Sequence, residues 1–234
     1  CFRTTFPPAA FTHFRARLDH GKLDIALAIR IRHARPLARD DRARDRVGHA
    51  RIEQHVKAPR LDVLLRRGGN VIPEIGMAGM AYSPILFSID FDPGNKHFDT
   101  CLTDGTLQRQ VAHEVHHCMR FAASGYNTNL GAALVNEGLA GHFARLLYDN
   151  PPEPWEAALP PDKAMEFLPD GEQLRSPTYD HKAWFFGVGG HYPRWLGYTL
   201  GYAIVAKWIA ESQPGVDEMI NVDAGAVLAL ANGT

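Results

Sequence analysis

Cysteine is scarce. Cys1, Cys101 and Cys118 are the only three in 234 residues, an odd number without paired spacing. That excludes a disulfide-framed scaffold and a zinc ribbon, and it points to free thiols in a reducing compartment. The cytoplasm is therefore expected ahead of the periplasm. Net charge is also lacking, with 25 basic against 26 acidic side chains. No global field draws such a chain to nucleic acid or to an anionic membrane surface. Nor does any apolar run approach the ~18 residues that a spanning helix needs. What is present is 45% hydrophobic content, enough for a sizeable core. One soluble domain over residues 1–234 is expected.

The most informative stretch is 111–119, Val-Ala-His-Glu-Val-His-His-Cys-Met, with His-Glu-x-x-His at His113, Glu114 and His117. On a helix, residues i and i+4 lie one above the other, so His113 and His117 can both offer a ring nitrogen to one ion. Glu114 lies about 100° further round the helix and can reach a water held at that ion without being a ligand. The ion lowers the pKa of the water to roughly 7 and the glutamate takes its proton, which suits hydrolysis of a carbonyl compound. The expected cofactor is one Zn2+.

A catalytic zinc keeps three protein ligands and one open position. Glu137, twenty residues after His117, stands in a second helical segment, Leu-Val-Asn-Glu-Gly-Leu-Ala-Gly over residues 134–141. Gly138 and Gly141 cost that helix roughly 1 kcal/mol each relative to alanine. Close approach to the first helix would justify them.

Elsewhere the chain is read by periodicity. Residues 11–18 look like helical turns, and 24–32 mix strand-like alternation with alanine, so helix is favoured. The arginine-rich run around 39–46 is interleaved with aspartate and reads as a solvated helix. Strands are expected over 61–65 and 85–91, with turns at 66–70 and 92–95. Asp104 is the expected N-cap of the metal-site helix, which runs to about Phe121. The second helix stops at Asp149 before two prolines. Short helical pieces are expected around Trp155 and Trp184, a largely buried helix over 193–210, and a final turn and helix over 215–230. This makes a helical annex (1–60), a sheet with the metal-site helix (61–125) and a helical part with Glu137 (126–234).

His-Glu-x-x-His followed by Asn-Glu-Gly-Leu-Ala at residues 136–140 resembles the gluzincin zinc metallopeptidases, which include thermolysin and the M1 aminopeptidases. More closely, Gly-Met-Ala-Gly at 76–79, the metal-site residues and Gly-Tyr-Thr-Leu-Gly-Tyr at 197–202 resemble a family of small bacterial proteins. That family is a domain of unknown function described as predicted Zn-dependent proteases. The likeness spans roughly residues 70–230.

The resemblance implies an α+β zincin-like fold, with an edge strand at 76–82 that pairs with an extended substrate. Gly76, Met77, Ala78 and Gly79 would be its substrate-binding part. It favours His117 over His116 as the second ligand, leaving His116 behind the ligands or at the surface, while helical phase turns Cys118 away as a small buried side chain. It implies Glu114 as general base and then proton donor to the leaving amine, and a tyrosine or histidine from a later helix as oxyanion donor. Tyr198 is the first choice, with His191, Tyr192 and Tyr202 as alternatives. His142 is read as a non-ligand. Thermolysin-like sites carry an acid four residues after the third ligand, where this chain has Gly141. M1 enzymes carry an acid in the loop that binds a free amine, where residues 76–82 have none, so endopeptidase action on a peptide or protein is expected. The competing reading is a regulatory or binding protein that keeps the zincin scaffold without activity. A metal hydrolase acting on a non-peptide amide or ester would use the same chemistry.

Overall fold

The computed structural model describes residues 14–18, 61–68, 71–125 and 128–231. Strands β1 (Phe14–Leu18), β2 (Leu61–Arg67), β3 (Met77–Ser83) and β4 (Leu86–Phe91) form one mixed sheet in the order β1-β2-β4-β3. The central pair is parallel, with Val63 opposite Phe87 and Leu65 opposite Ile89. On β2, Leu61, Val63 and Leu65 are buried while Asp62, Leu64 and Arg66 are only partly so. That is the period-two signature of a strand with one face on the core. The strand runs on through Arg66 and Arg67, expected in a turn, and Arg66 grips Asp90 on β4 at 2.5 and 2.9 Å.

Residues 14–18, expected to be helical, instead form β1, antiparallel to β2 with Phe14 opposite Leu65 and Leu18 opposite Leu61. The partner is distant in sequence, and a non-local ladder overrides local preference. The runs at 24–32 and 39–46 lie outside the described residues. At the other side of the sheet β3 pairs antiparallel with β4 and is an edge among the described strands, as the resemblance implies.

Nine helices follow among the described residues: α1 (Phe98–Cys101), α2 (Thr106–Ser124), α3 (Leu130–Tyr148), α4 (Pro161–Met165), α5 (Gly171–Arg175), α6 (His181–Phe186), α7 (Leu196–Ser212), α8 (Val216–Asn221) and α9 (Ala224–Ala231). None is long and apolar enough to cross a membrane. Helix α2 packs on β3 and β4 with one side and on α3 with another. Its N-cap is Gly105, at φ +92°, rather than Asp104. Asp104 still serves from one residue further out, accepting the Thr106 N–H at 2.9 Å. Helix α3 begins at Asn129, whose Oδ1 accepts the Ala132 N–H, and ends at Asp149.

Helices α3 and α7 meet backbone to backbone. A Cβ on Gly138 would overlap the Gly201 carbonyl oxygen, and one on Gly201 would overlap that of Leu134. Gly138 is therefore explained by α7 and not by α2, while the space at Gly141 is taken by Glu156. Helix α7 starts at Leu196 instead of Pro193, because Trp195 holds a left-handed φ of +70° that cannot continue a helix. Around Trp155 there is a turn and no helix, and the C-terminal segment is two short helices broken at Val222.

One buried cation joins these layers. Arg120, on α2, donates to Asn136 Oδ1 on α3 at 2.8 Å and to the carbonyls of Ile220 and Val222 at 2.9 Å each. The surrounding core includes Phe87, Ile89, Leu134, Leu139, Phe143, Leu200 and Ile204, all buried. Each contributes roughly 1.5–3 kcal/mol of apolar burial.

Candidate metal centre

The i, i+4 spacing on α2 sets the His113 and His117 rings on one face, with their Nε2 atoms 3.0 Å apart. Helix α3 brings Glu137 to them, with Oε2 3.1 Å from His113 Nε2 and Oε1 3.5 Å from His117 Nε2. This is the one such group of three found among the described residues, all ligand atoms lying within 4.8 Å of one another. Burial works to raise the Glu137 carboxyl, but the two imidazoles outweigh it and hold the group below the usual carboxylate range.

The donor set fits a divalent cation. Zinc bonds to nitrogen and oxygen are about 2.0–2.1 Å, so neighbouring corners of a tetrahedral site lie about 3.3 Å apart. The observed separations of 3.0, 3.1 and 3.5 Å bracket that value. Two imidazole nitrogens and a carboxylate converging on one point are electron-rich, and a dication satisfies all three together.

Glu114 turns away from its neighbours toward β3. It is 4% exposed, and a Cβ on Gly79 would overlap its Oε1. Burial pushes its carboxyl up to about 8, against the pull of His113 and with the push of Glu137, while the Ala81 backbone hydrogen-bonds to it. Its Oε2 is buried with no hydrogen-bond partner among the described residues. Gly79 is thus a requirement of the site, since only a residue without a side chain leaves room for this carboxylate. Of the other predicted strand residues, Gly76 makes the entry turn at φ +66°, Met77 is in the core and Ala78 is half-buried.

Residues 94–229, more than half of the chain, match a family described as predicted Zn-dependent proteases (DUF2268). The chain belongs to that family. No curated protein and no solved structure matches it. The α+β architecture, with a small mixed sheet and a mostly helical C-terminal part, is zincin-like in agreement with the family description, and His113, His117 and Glu137 form a group that could hold a metal ion such as the description names.

The remaining candidates fall in several places. His116 is fully buried against Phe143, with ring centroids 5.0 Å apart, so it is not a surface residue; burial holds it neutral. Cys118 is fully buried and burial pushes its thiol up to about 12, so it is no thiolate. His142 stacks on Tyr202 at 3.8 Å, and its Nε2 lies 3.0 Å from the Tyr202 carbonyl, apart from the ligand group. Among the oxyanion candidates, Tyr198 lies edge-on to Phe185, Phe186 and Trp195. The Tyr202 hydroxyl accepts from Arg145, Tyr192 stacks on Trp184, and His191 is exposed beside Gly189.

The sequence reading overlooks a pair in this family member. The Tyr179 hydroxyl and His181 Nδ1 share a hydrogen bond of 3.2 Å. Burial raises the Tyr179 hydroxyl and lowers the His181 ring, and in both the Glu137 carboxylate adds its own field. Tyr179 stands on the irregular stretch between α5 and α6 and His181 is the first residue of α6, where no periodicity marks them.

Proposed function

We propose that this family member is a zinc endopeptidase, a single catalytic domain that hydrolyses bonds within extended peptides. The observation that carries the proposal is Glu114, buried between β3 and the His113, His117 and Glu137 group with one carboxyl oxygen unpartnered among the described residues. A purely structural zinc would have four closed ligands and no use for such a base. Zinc held by His113, His117 and Glu137 would supply a Lewis acid that brings the pKa of water to roughly 7. Glu114, whose ionised form a cation beside it favours, would take the proton of the attacking water and hand it to the leaving amine nitrogen. The edge of β3, which no other described strand pairs with, accepts the substrate backbone as an added strand, which orients it by main-chain hydrogen bonds and tolerates many sequences. No acid stands in residues 76–82 to hold a free α-ammonium, which supports internal cleavage.

The oxyanion donor comes from α7, as Tyr198, or from the Tyr179 and His181 pair, on which the field of Glu137 acts. Tyr179→Phe and Tyr198→Phe separate them, because loss of the donor lowers kcat about 10²-fold or more while a packing tyrosine does not.

The deciding experiment measures zinc content and cleavage of a blocked peptide library together. Wild type and Glu114→Gln should both bind near-stoichiometric zinc, with cleavage lost in Glu114→Gln. His117→Ala and Glu137→Ala should lose the zinc. A wild type that binds zinc, cleaves nothing and captures a protein partner would establish the binding-protein reading instead. A strict need for a free amino terminus would overturn endopeptidase action.

A further inference from the structure

The helix that carries Glu137 has a notch one turn further on. Gly141 offers no side chain there, and the space is filled from outside the helix. A Cβ on Gly141 would overlap Glu156 Oε1 and lie 2.9 Å from its carboxyl carbon. Glu156 comes from the turn that follows α3 and is 7% exposed. Its Oε2 accepts the Glu153 N–H at 2.8 Å. The turn is anchored, since the buried Thr199 hydroxyl on α7 donates to the Trp155 carbonyl at 2.9 Å. A carboxylate is thus lodged in the core by backbone contacts.

What it faces is a small cavity of about 10 Å3, which His113, Arg109, Gln110 and Gly141 also line. That is close to the roughly 10–15 Å3 that one water needs, and the walls are polar enough to hold it. Arg109 is committed to Glu153 by an ion pair. Glu156 is then the carboxylate left to serve the cavity, beside the Asn150 Oδ1, which has no partner among the described residues. On the His113 ring, Nε2 is taken by Glu137 and His117, so the nitrogen left for the cavity is Nδ1.

We infer that Glu156 is the positioning residue of His113, accepting its Nδ1–H through one water in this cavity. The bond fixes the tautomer that leaves the Nε2 lone pair toward Glu137 and His117, and it raises the basicity of the ring. Partners of this kind commonly change metal affinity 10–100-fold when removed. The inference rests on the zinc-site reading above.

The test is zinc affinity by chelator competition on the full chain, beside the 15N chemical shifts of the His113 ring. Glu156→Ala should weaken zinc binding 10–100-fold and leave the metal-free His113 ring a mixture of tautomers. Glu156→Gln, which keeps the shape and accepts a weaker bond, should lose less. Glu156→Ala combined with Gly141→Asp puts an acid back into the vacated notch from the helix itself, and affinity should recover. Gly141→Asp alone collides with Glu156 and should not help. Wild-type affinity in both Glu156 variants, with an unchanged ring tautomer, would overturn the inference and leave the metal site standing. A wild type that binds no zinc would overturn both.

Discussion

At the scale of the residue, what decides this site is as much absence as presence. Gly79 and Gly141 each leave a space that a carboxylate fills, Glu114 in one case and Glu156 in the other. Gly79→Ala therefore puts a methyl group where the Glu114 carboxylate lies and drives it off its position. General-base catalysis is worth about 10²–10⁴-fold. The expected outcome is a loss of kcat/KM in that range with zinc content unchanged, checked by elemental analysis beside peptide kinetics. The facing of His113 and His117 was legible, because an i, i+4 pair of histidines with an intervening glutamate has one helical geometry. Glu156 was not, because its nearness to His113 is made by folding across 43 residues. The one available signal was the missing side chain at Gly141, which posed a question without naming the residue that answers it.

Among the elements, α2 and α3 followed their periodicity, and β2 and β4 their alternation. β1 did not, since a five-residue strand exists only by virtue of its partner β2. The start of α7 was misplaced because a left-handed Trp195 has no sequence signature. The contact of α3 with α7 was foreseen in kind, as close approach at glycine, and missed in partner. That interface carries a pH dependence. Burial lowers the His142 ring, stacked on Tyr202, to about 4 from its ordinary 6.5. Between pH 6.5 and 4 the unfolded chain takes up a proton that the folded chain refuses, so stability falls as pH drops through that window and is level outside it. The full difference is about 3 kcal/mol. Denaturant unfolding at pH 7 and pH 4.5 should show a larger loss in wild type than in His142→Phe, and equal losses would remove His142 from the account. His116 acts in the same direction, being fully buried and neutral.

At the scale of the molecule, the helix that carries His113 and His117 is held by residues much further along the chain. Arg120 is separated from its acceptors Ile220 and Val222 by 100 and 102 residues. A buried guanidinium stripped of acceptors costs about 3–5 kcal/mol, and Arg120 also reaches Asn136, the neighbour of Glu137. During synthesis the chain emerges from its amino end, so the arginine leaves the ribosome long before those two carbonyls do. The nascent polypeptide accordingly carries every metal ligand yet lacks the clasp that registers α2 against α3. The predicted consequence is a built-in delay, in which no zinc is captured until translation has passed Val222. Ribosome-bound chains arrested with residues up to 210, or with the whole sequence, clear of the exit tunnel would reveal it. Zinc uptake should be confined to the longer chains, and equal uptake in both would show that the clasp is not needed. A peptidase of the kind proposed above, assembled in this order, would stay inert while still on the ribosome that makes it.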